Sequence, residues 1–162
     1  MKTPGQTAVC RYERHQAIST HWATLHLLGH AEFSAAPTAV ATARQWTRDL
    51  LTGRTSDLTL DDVALLLSEV MTNAVLHSDS GRTPNGSVMI CIGTDATTVH
   101  IEVIDDGSAT SLPFIRAGDL DSDGGRGLLL VDLLATAWGT HQHDHAGNAV
   151  WFHLPHTPTP RN

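Results

Sequence analysis

Three short stretches of this sequence hold side chains whose type and spacing suit acid–base or anion chemistry. Glu69 and Asn73 are four residues apart, so on a helix they project from one face, one turn above the other. A carboxylate beside an amide oxygen on a rigid helix can hold a divalent cation and act as a general base. Asp62 and His77 extend the same stripe. Further on, Asp105-Asp106-Gly107-Ser108-Ala109 follows a strand-like run, which sets a carboxylate at a strand end with a flexible Gly after it. Last, Gly124-Gly125-Arg126-Gly127 precedes an apolar helical run, so unhindered N–H groups and a helix N-terminus converge where an anion fits. Taken singly, each stretch also reads as a solvated helix face, a β-turn or an ordinary helix start.

The Gly-rich stretch excludes three familiar sites. A Walker loop needs Gly-Lys-Ser/Thr, and the one Lys of the chain is Lys2. A dinucleotide fingerprint starting at Gly125 and Gly127 would put its third glycine at Leu130, and loop rather than strand precedes it. An EF-hand beginning at Asp119, Asp121, Asp123 and Gly124 would need its bidentate Glu at Leu130. The cluster His141, His143 and His145 sits beside Gly147 between two strand-like runs and reads as a hairpin loop before it reads as a metal site. Cys10 and Cys91 are too isolated for a disulfide framework.

The elements that must position these residues follow from periodicity. A β-like stretch is expected over 22–33, then a helix from Ala35 to Leu51 with Pro37 in its first turn and Gly53 as its stop. A second helix is expected over 60–77, announced by Thr59 and Asp62 as a capping box. Strands Ser87–Ile92 and Thr97–Ile104 form a hairpin about Gly93–Ala96, with Val99, Ile101 and Val103 on one face. A short helix over Leu128–Ala135 and strands over 136–141 and 149–154 complete the chain. Helices in runs and strands in hairpins point to an α+β sandwich rather than a βαβ alternation.

In this order, Glu69-x-x-x-Asn73 on a helix, Asp105-x-Gly107 after a strand, and Gly125-Arg126-Gly127-Leu128 opening a helix resemble the N, G1 and G2 boxes of the GHKL ATPase superfamily. The surrounding LLLSEVMTNAVLHS and GGRGLLLVDLLATAWGT resemble, within that superfamily, the small anti-sigma-factor serine kinases and the histidine-kinase-like ATP-binding proteins of actinobacteria. The resemblance spans residues 30–154. It implies a Bergerat-type two-layer α/β sandwich, with helices on one face of a mixed, mainly antiparallel sheet and residues 108–123 as an ATP lid. It implies ATP and Mg²⁺ as cofactors. Carried over by position, Asn73 ligates Mg²⁺, Glu69 is the catalytic base, Asp105 accepts the adenine amino group, Gly107 passes beside the base, and Gly125, Arg126, Gly127 and Leu128 form the phosphate turn. Two departures stand out: Ala109 replaces the second Gly of the G1 box, and Ala149 stands where relatives place a Thr supporting the adenine contact.

The same resemblance implies a serine/threonine protein kinase that phosphorylates a STAS-type anti-sigma antagonist and sequesters a sigma factor, and it is compatible with a homodimer. An ATP-dependent protein-binding module without turnover is the alternative, and a structural domain without a nucleotide site the third reading. A length of 162 residues fits one domain, expected over 26–154 between an N-terminal arm (1–25) and a Pro-rich tail (155–162). With 41% hydrophobic residues and no long apolar run or leader, a cytoplasmic protein without membrane contact is expected. A net charge of -7 argues against direct nucleic-acid binding. Six Asp between residues 105 and 132, against Arg116 and Arg126, make a bare polyphosphate unwelcome there and Mg²⁺ necessary.

Overall fold

Alternating apolar residues in the strands and four-residue spacing in the helices build two layers, described in a computed structural model for residues 20–77, 81, 85–106, 123–143 and 147–158. Five strands, β1 (His26–Ser34), β2 (Ser87–Thr94), β3 (Thr98–Ile104), β4 (Ala137–His143) and β5 (Gly147–Pro155), form one sheet in the order β1-β2-β3-β5-β4. Helices α1 (Ala39–Leu51), α2 (Asp57–His77) and α3 (Asp123–Leu134) pack on one of its faces. This is the expected α+β sandwich, consistent with the Bergerat fold. All four ladders are antiparallel, so among the described residues the sheet is not mixed. The reason is β5, which folds back from β4 and inserts between it and β3, separating the two strands that run in the same direction.

Val99, Ile101 and Val103 do share the helix-facing side, joined by Val88, Ile90 and Ile92 of β2 and by Val150, Phe152 and Leu154 of β5. Opposite them α1 lays down Ala39, Ala43, Thr47 and Leu51, one residue per turn. The central helix α2 contributes ten buried residues, because the sheet lies beneath it and α1 and α3 both pack against it. No helix among the described residues is long and apolar enough to cross a membrane.

Element ends differ from expectation for local reasons. Ala35 to Thr38 form a turn ahead of α1, with Ala39 N–H donating to Ala36 O at 2.9 Å. The helix does stop at Gly53, whose φ of +76° suits a residue without a β-carbon. The start of α2 lies at Asp57, and its cap is Ser56: the Thr59 N–H donates to Ser56 Oγ at 3.3 Å. Thr59 is therefore inside the helix, and its hydroxyl donates to Pro155 O at 3.1 Å. Gly93 and Thr94 belong to β2, leaving a tighter turn in which Asp95 Oδ1 accepts the N–H groups of Thr97 and Thr98, both at 2.8 Å. His141 and His143 are in β4 rather than in a loop; His145 lies outside the described residues. Within the expected arm, Thr20–Ala23 form a 3-10 turn whose Trp22 is buried.

Candidate functional site

The Thr59–Pro155 hydrogen bond fixes α2 relative to the sheet, because Pro155 is in register with Thr98 at the start of β3. From that anchor Asn73 is about 21 Å along the helix and Asp105 about 24 Å along the strand, using ordinary rises per residue. Both therefore reach the same end of the sandwich. At the opposite end of the sheet α3 gives way to β4, with Thr136 N–H donating to His153 O at 2.9 Å. Since β4 runs in the same direction as β3, α3 runs back against them and its N-terminus also lies toward the Asp105 end.

Rotation about α2 separates two flanks. Ser68 faces α1, accepting from Arg44 at 3.1 Å, and Arg48 pairs with Asp61 at 3.1 Å on the same side. Asn73 is five residues beyond Ser68, about 140° further round at 3.6 residues per turn, so it projects from the flank away from α1. Glu69 lies one turn before it. Both are half-buried rather than enclosed, at the rim of the apolar stripe, so neither depends on a bound cation to justify its burial. A cavity of about 310 Å³ lined by Pro37, Val40, Arg44, Thr72 and Leu76 opens on the α1 flank instead, away from Asn73.

Asp105 is the enclosed member of the set, 7% exposed just past the end of β3. Its N–H donates to Asn148 O at 2.9 Å, which ties its backbone to β5. Gly147 sits alongside with φ +83°, and a β-carbon there would overlap the Asp105 carbonyl oxygen. Gly125, Arg126 and Gly127 fall inside α3, which starts at Asp123, not ahead of it; only the first-turn N–H groups of a helix lack intrahelical acceptors, so the N–H of Gly127, the fifth residue, is taken up by the helix itself. Leu128, next in line, is buried in the core and fixes this turn to the sandwich. Gly107, Ala109 and most of the expected lid, residues 108–122, lie outside the described residues.

One expected feature is corrected. Ala149 packs with Trp22, Met89, Cys91 and Ile104 on the face of the sheet away from the helices, so its lack of a hydroxyl has no bearing on a ligand held on the helix side. The residue beside Asp105 on the helix side is Asn148, buried, in the same alternation as Val150. Sequence reasoning missed it because a one-residue shift in a strand reverses the face. Among the described residues no group of three or more His, Cys, Asp or Glu could hold a metal ion; His145 of the expected cluster lies outside them.

The chain matches the histidine kinase-like ATPase domain family over residues 33–154. Comparison with curated proteins finds no match. The match covers most of the chain and includes every segment that converges at the Asp105 end. The chain belongs to the histidine kinase-like ATPase domain family, and that membership implies that it binds ATP.

Proposed function

We propose that this histidine kinase-like ATPase domain binds Mg-ATP where α2, the end of β3 and the start of α3 converge, and that it is an anti-sigma-type serine/threonine protein kinase. Its substrate would be a STAS-type anti-sigma antagonist and its target a sigma factor, a partner choice that follows the family's likeness to anti-sigma factor kinases. The observation that carries the reading is the convergence of three otherwise unremarkable segments at one end of the sandwich.

Asp105 offers a fixed, enclosed carboxylate, an acceptor that suits the exocyclic amino group of adenine and not the carbonyl that guanine carries there. Gly107 would let the chain pass beside the base. The N–H groups of Gly125 and Arg126, in the first turn of α3, would hold phosphate oxygens, with Gly127 and Leu128 continuing the helix that anchors the turn. Asn73 would hold Mg²⁺ through its amide oxygen. A single hard oxygen donor fits this ion, which takes few protein ligands and fills its shell with phosphate oxygens and water. Bound there, Mg²⁺ supplies neutralisation of the triphosphate charge. Glu69, one turn before Asn73 and partly exposed, can take the proton of an incoming serine hydroxyl.

Calorimetry should show saturable Mg-ATP binding that EDTA abolishes; affinity indifferent to EDTA would remove Mg²⁺ from the account. With γ-labelled ATP and a candidate antagonist, the wild type should label the antagonist. Glu69→Ala should slow labelling by about 10²–10⁴-fold with Mg-ATP affinity unchanged. Equal rates would take the base role from Glu69. Tight Mg-ATP binding with no labelled product from the wild type would leave an ATP-dependent protein-binding module.

A further inference from the structure

The middle of the sheet face turned away from the helices is enclosed. His100 and Glu102 of β3 are both 0% exposed there. Cross-strand register lines up His30, Cys91, Glu102 and Trp151 in one row, and Gly93, His100 and His153 in the next. Trp22, from the turn before β1, lies over Gly93, where a β-carbon would come within 2.6 Å of its ring. Its indole N–H donates to Glu102 Oε2 at 2.7 Å, and its ring meets His100 edge-on at 5.0 Å between centroids. His100 Nε2 stands 3.8 Å from Glu102 Oε2, and His100 Nδ1 lies 2.8 Å from His153 Nε2.

That last contact limits the proton count. Two ring nitrogens at hydrogen-bond distance need one proton between them and one lone pair. The pair tolerates both imidazoles neutral, or one charged and balanced by the Glu102 carboxylate. It does not tolerate two imidazoliums, which have no lone pair to offer and would set two cations side by side, one of them on the fully buried His100. We propose that Trp22, Glu102, His100 and His153 form a proton-sensitive latch that fastens the segment entering β1 to the back of the sheet at neutral pH and releases it in acid.

Among the described residues, the other titratable groups on this face are His30 and Glu32 of β1, Cys91 of β2 and His141 of β4. The Cys91 thiol is pushed well up by burial and then by the Glu102 charge, so it stays neutral throughout and adds no charge. His141 stacks on Trp151 at 6.2 Å, and Glu32 is exposed near the far end of β1. Protonation of His30 or His141 adds positive charge and works in the same direction as a second proton on the pair. The shared nitrogen contact excludes a second proton from the latched pair, whereas the open pair can take two, so acid favours the open state.

Hydrogen exchange of the full chain, read by mass spectrometry at pH 8, 7, 6 and 5 with rates corrected for intrinsic pH dependence, tests this. Peptides covering residues 20–34 should lose tenfold or more of their protection between pH 7 and pH 5, while α2 stays protected. His153→Gln retains a hydrogen-bonding amide but takes no proton, and should keep residues 20–34 protected in acid. Trp22→Phe should lower their protection at every pH to the acid level of the wild type, the β1–β2 ladder keeping what remains. Unchanged wild-type protection at pH 5, or α2 opening at the same pH, overturns the latch. So does a His153→Gln protein that releases with the wild-type midpoint; should that variant not fold, the wild-type profile and Trp22→Phe decide.

Discussion

Gly147→Ala is the substitution that most directly tests the architecture beside Asp105. Gly147 has φ +83°, and a β-carbon there overlaps the Asp105 carbonyl oxygen and comes within 2.8 Å of its carbonyl carbon. Placing an L-residue in the left-handed region costs about 1–2 kcal/mol. The overlap is with backbone, not with the free end of a side chain, so the strand end must shift, at about 1–3 kcal/mol. Together these give about 2–5 kcal/mol, which in a chain of this size lowers Tm by about 4–20 °C. Because the shift moves Asp105, loss of the charge-assisted hydrogen bond proposed between it and adenine, about 1.5–3 kcal/mol, should weaken ATP binding by about 10–150-fold. Gly53→Ala is the control: its φ is +76°, yet nothing lies within 4 Å of the added carbon. It should lower Tm by the conformational cost alone and leave nucleotide affinity untouched. Differential scanning calorimetry and nucleotide titration of both variants provide the measurement. Equal Tm losses with equal affinities would refute the argument that Gly147 keeps Asp105 in place.

Three further outcomes are expected. Asp105→Asn should weaken ATP by about 10–150-fold and narrow the preference for ATP over GTP, measured by calorimetry with both nucleotides. The N–H of Thr97, with that of Thr98 adding to it, holds the Asp95 carboxyl below its ordinary value. The native turn therefore binds fewer protons than the unfolded chain, and its contribution is present above the usual carboxylate range and lost as pH falls through the lowered native value. Asp95→Ala should thus lower Tm at pH 7 and make little difference near pH 2, as thermal melts across that range would show. Cys91, buried with its thiol pushed up, should resist iodoacetamide at pH 8 in the native protein and react fully in denaturant. Rapid native alkylation of its peptide would mean that the back of the sheet is open.

What could be read from residues alone was whatever local spacing encodes. Val99, Ile101 and Val103 point one way because a strand has period two, and Gly53 ends α1 because the left-handed cap suits glycine. The capping box at Thr59 and Asp62 fits the pattern, yet Ser56 three residues earlier is an equally suitable N-cap residue, and it is Ser56 Oγ that accepts the Thr59 N–H while the Thr59 hydroxyl turns to Pro155 O. The order of the site segments was legible for the same local reason. Their convergence was not, because it depends on β5 inserting between β3 and β4, which sets the direction of α3. Asn148 and Ala149 show the limit most sharply, since the choice of face rests on strand register and a single residue reverses it.

The back of the sheet misleads a sequence reader for a deeper reason. His100 and Glu102 alternate with Val99, Ile101 and Val103, which is the pattern of a strand with one wet face. Alternation reports chemical type and not exposure, so a polar row covered by an aromatic ring reads the same as one covered by water. Enclosing the Glu102 carboxylate is costly unless donors meet it, and the indole N–H of Trp22 is one of them. A boundary drawn after residue 25 would remove that donor while leaving Glu102 in place, on the strand that ends at Asp105. The segment from Thr20 onward therefore supports β3 from behind, and the strand that leads into Asp105 depends on a residue that composition assigned to an arm.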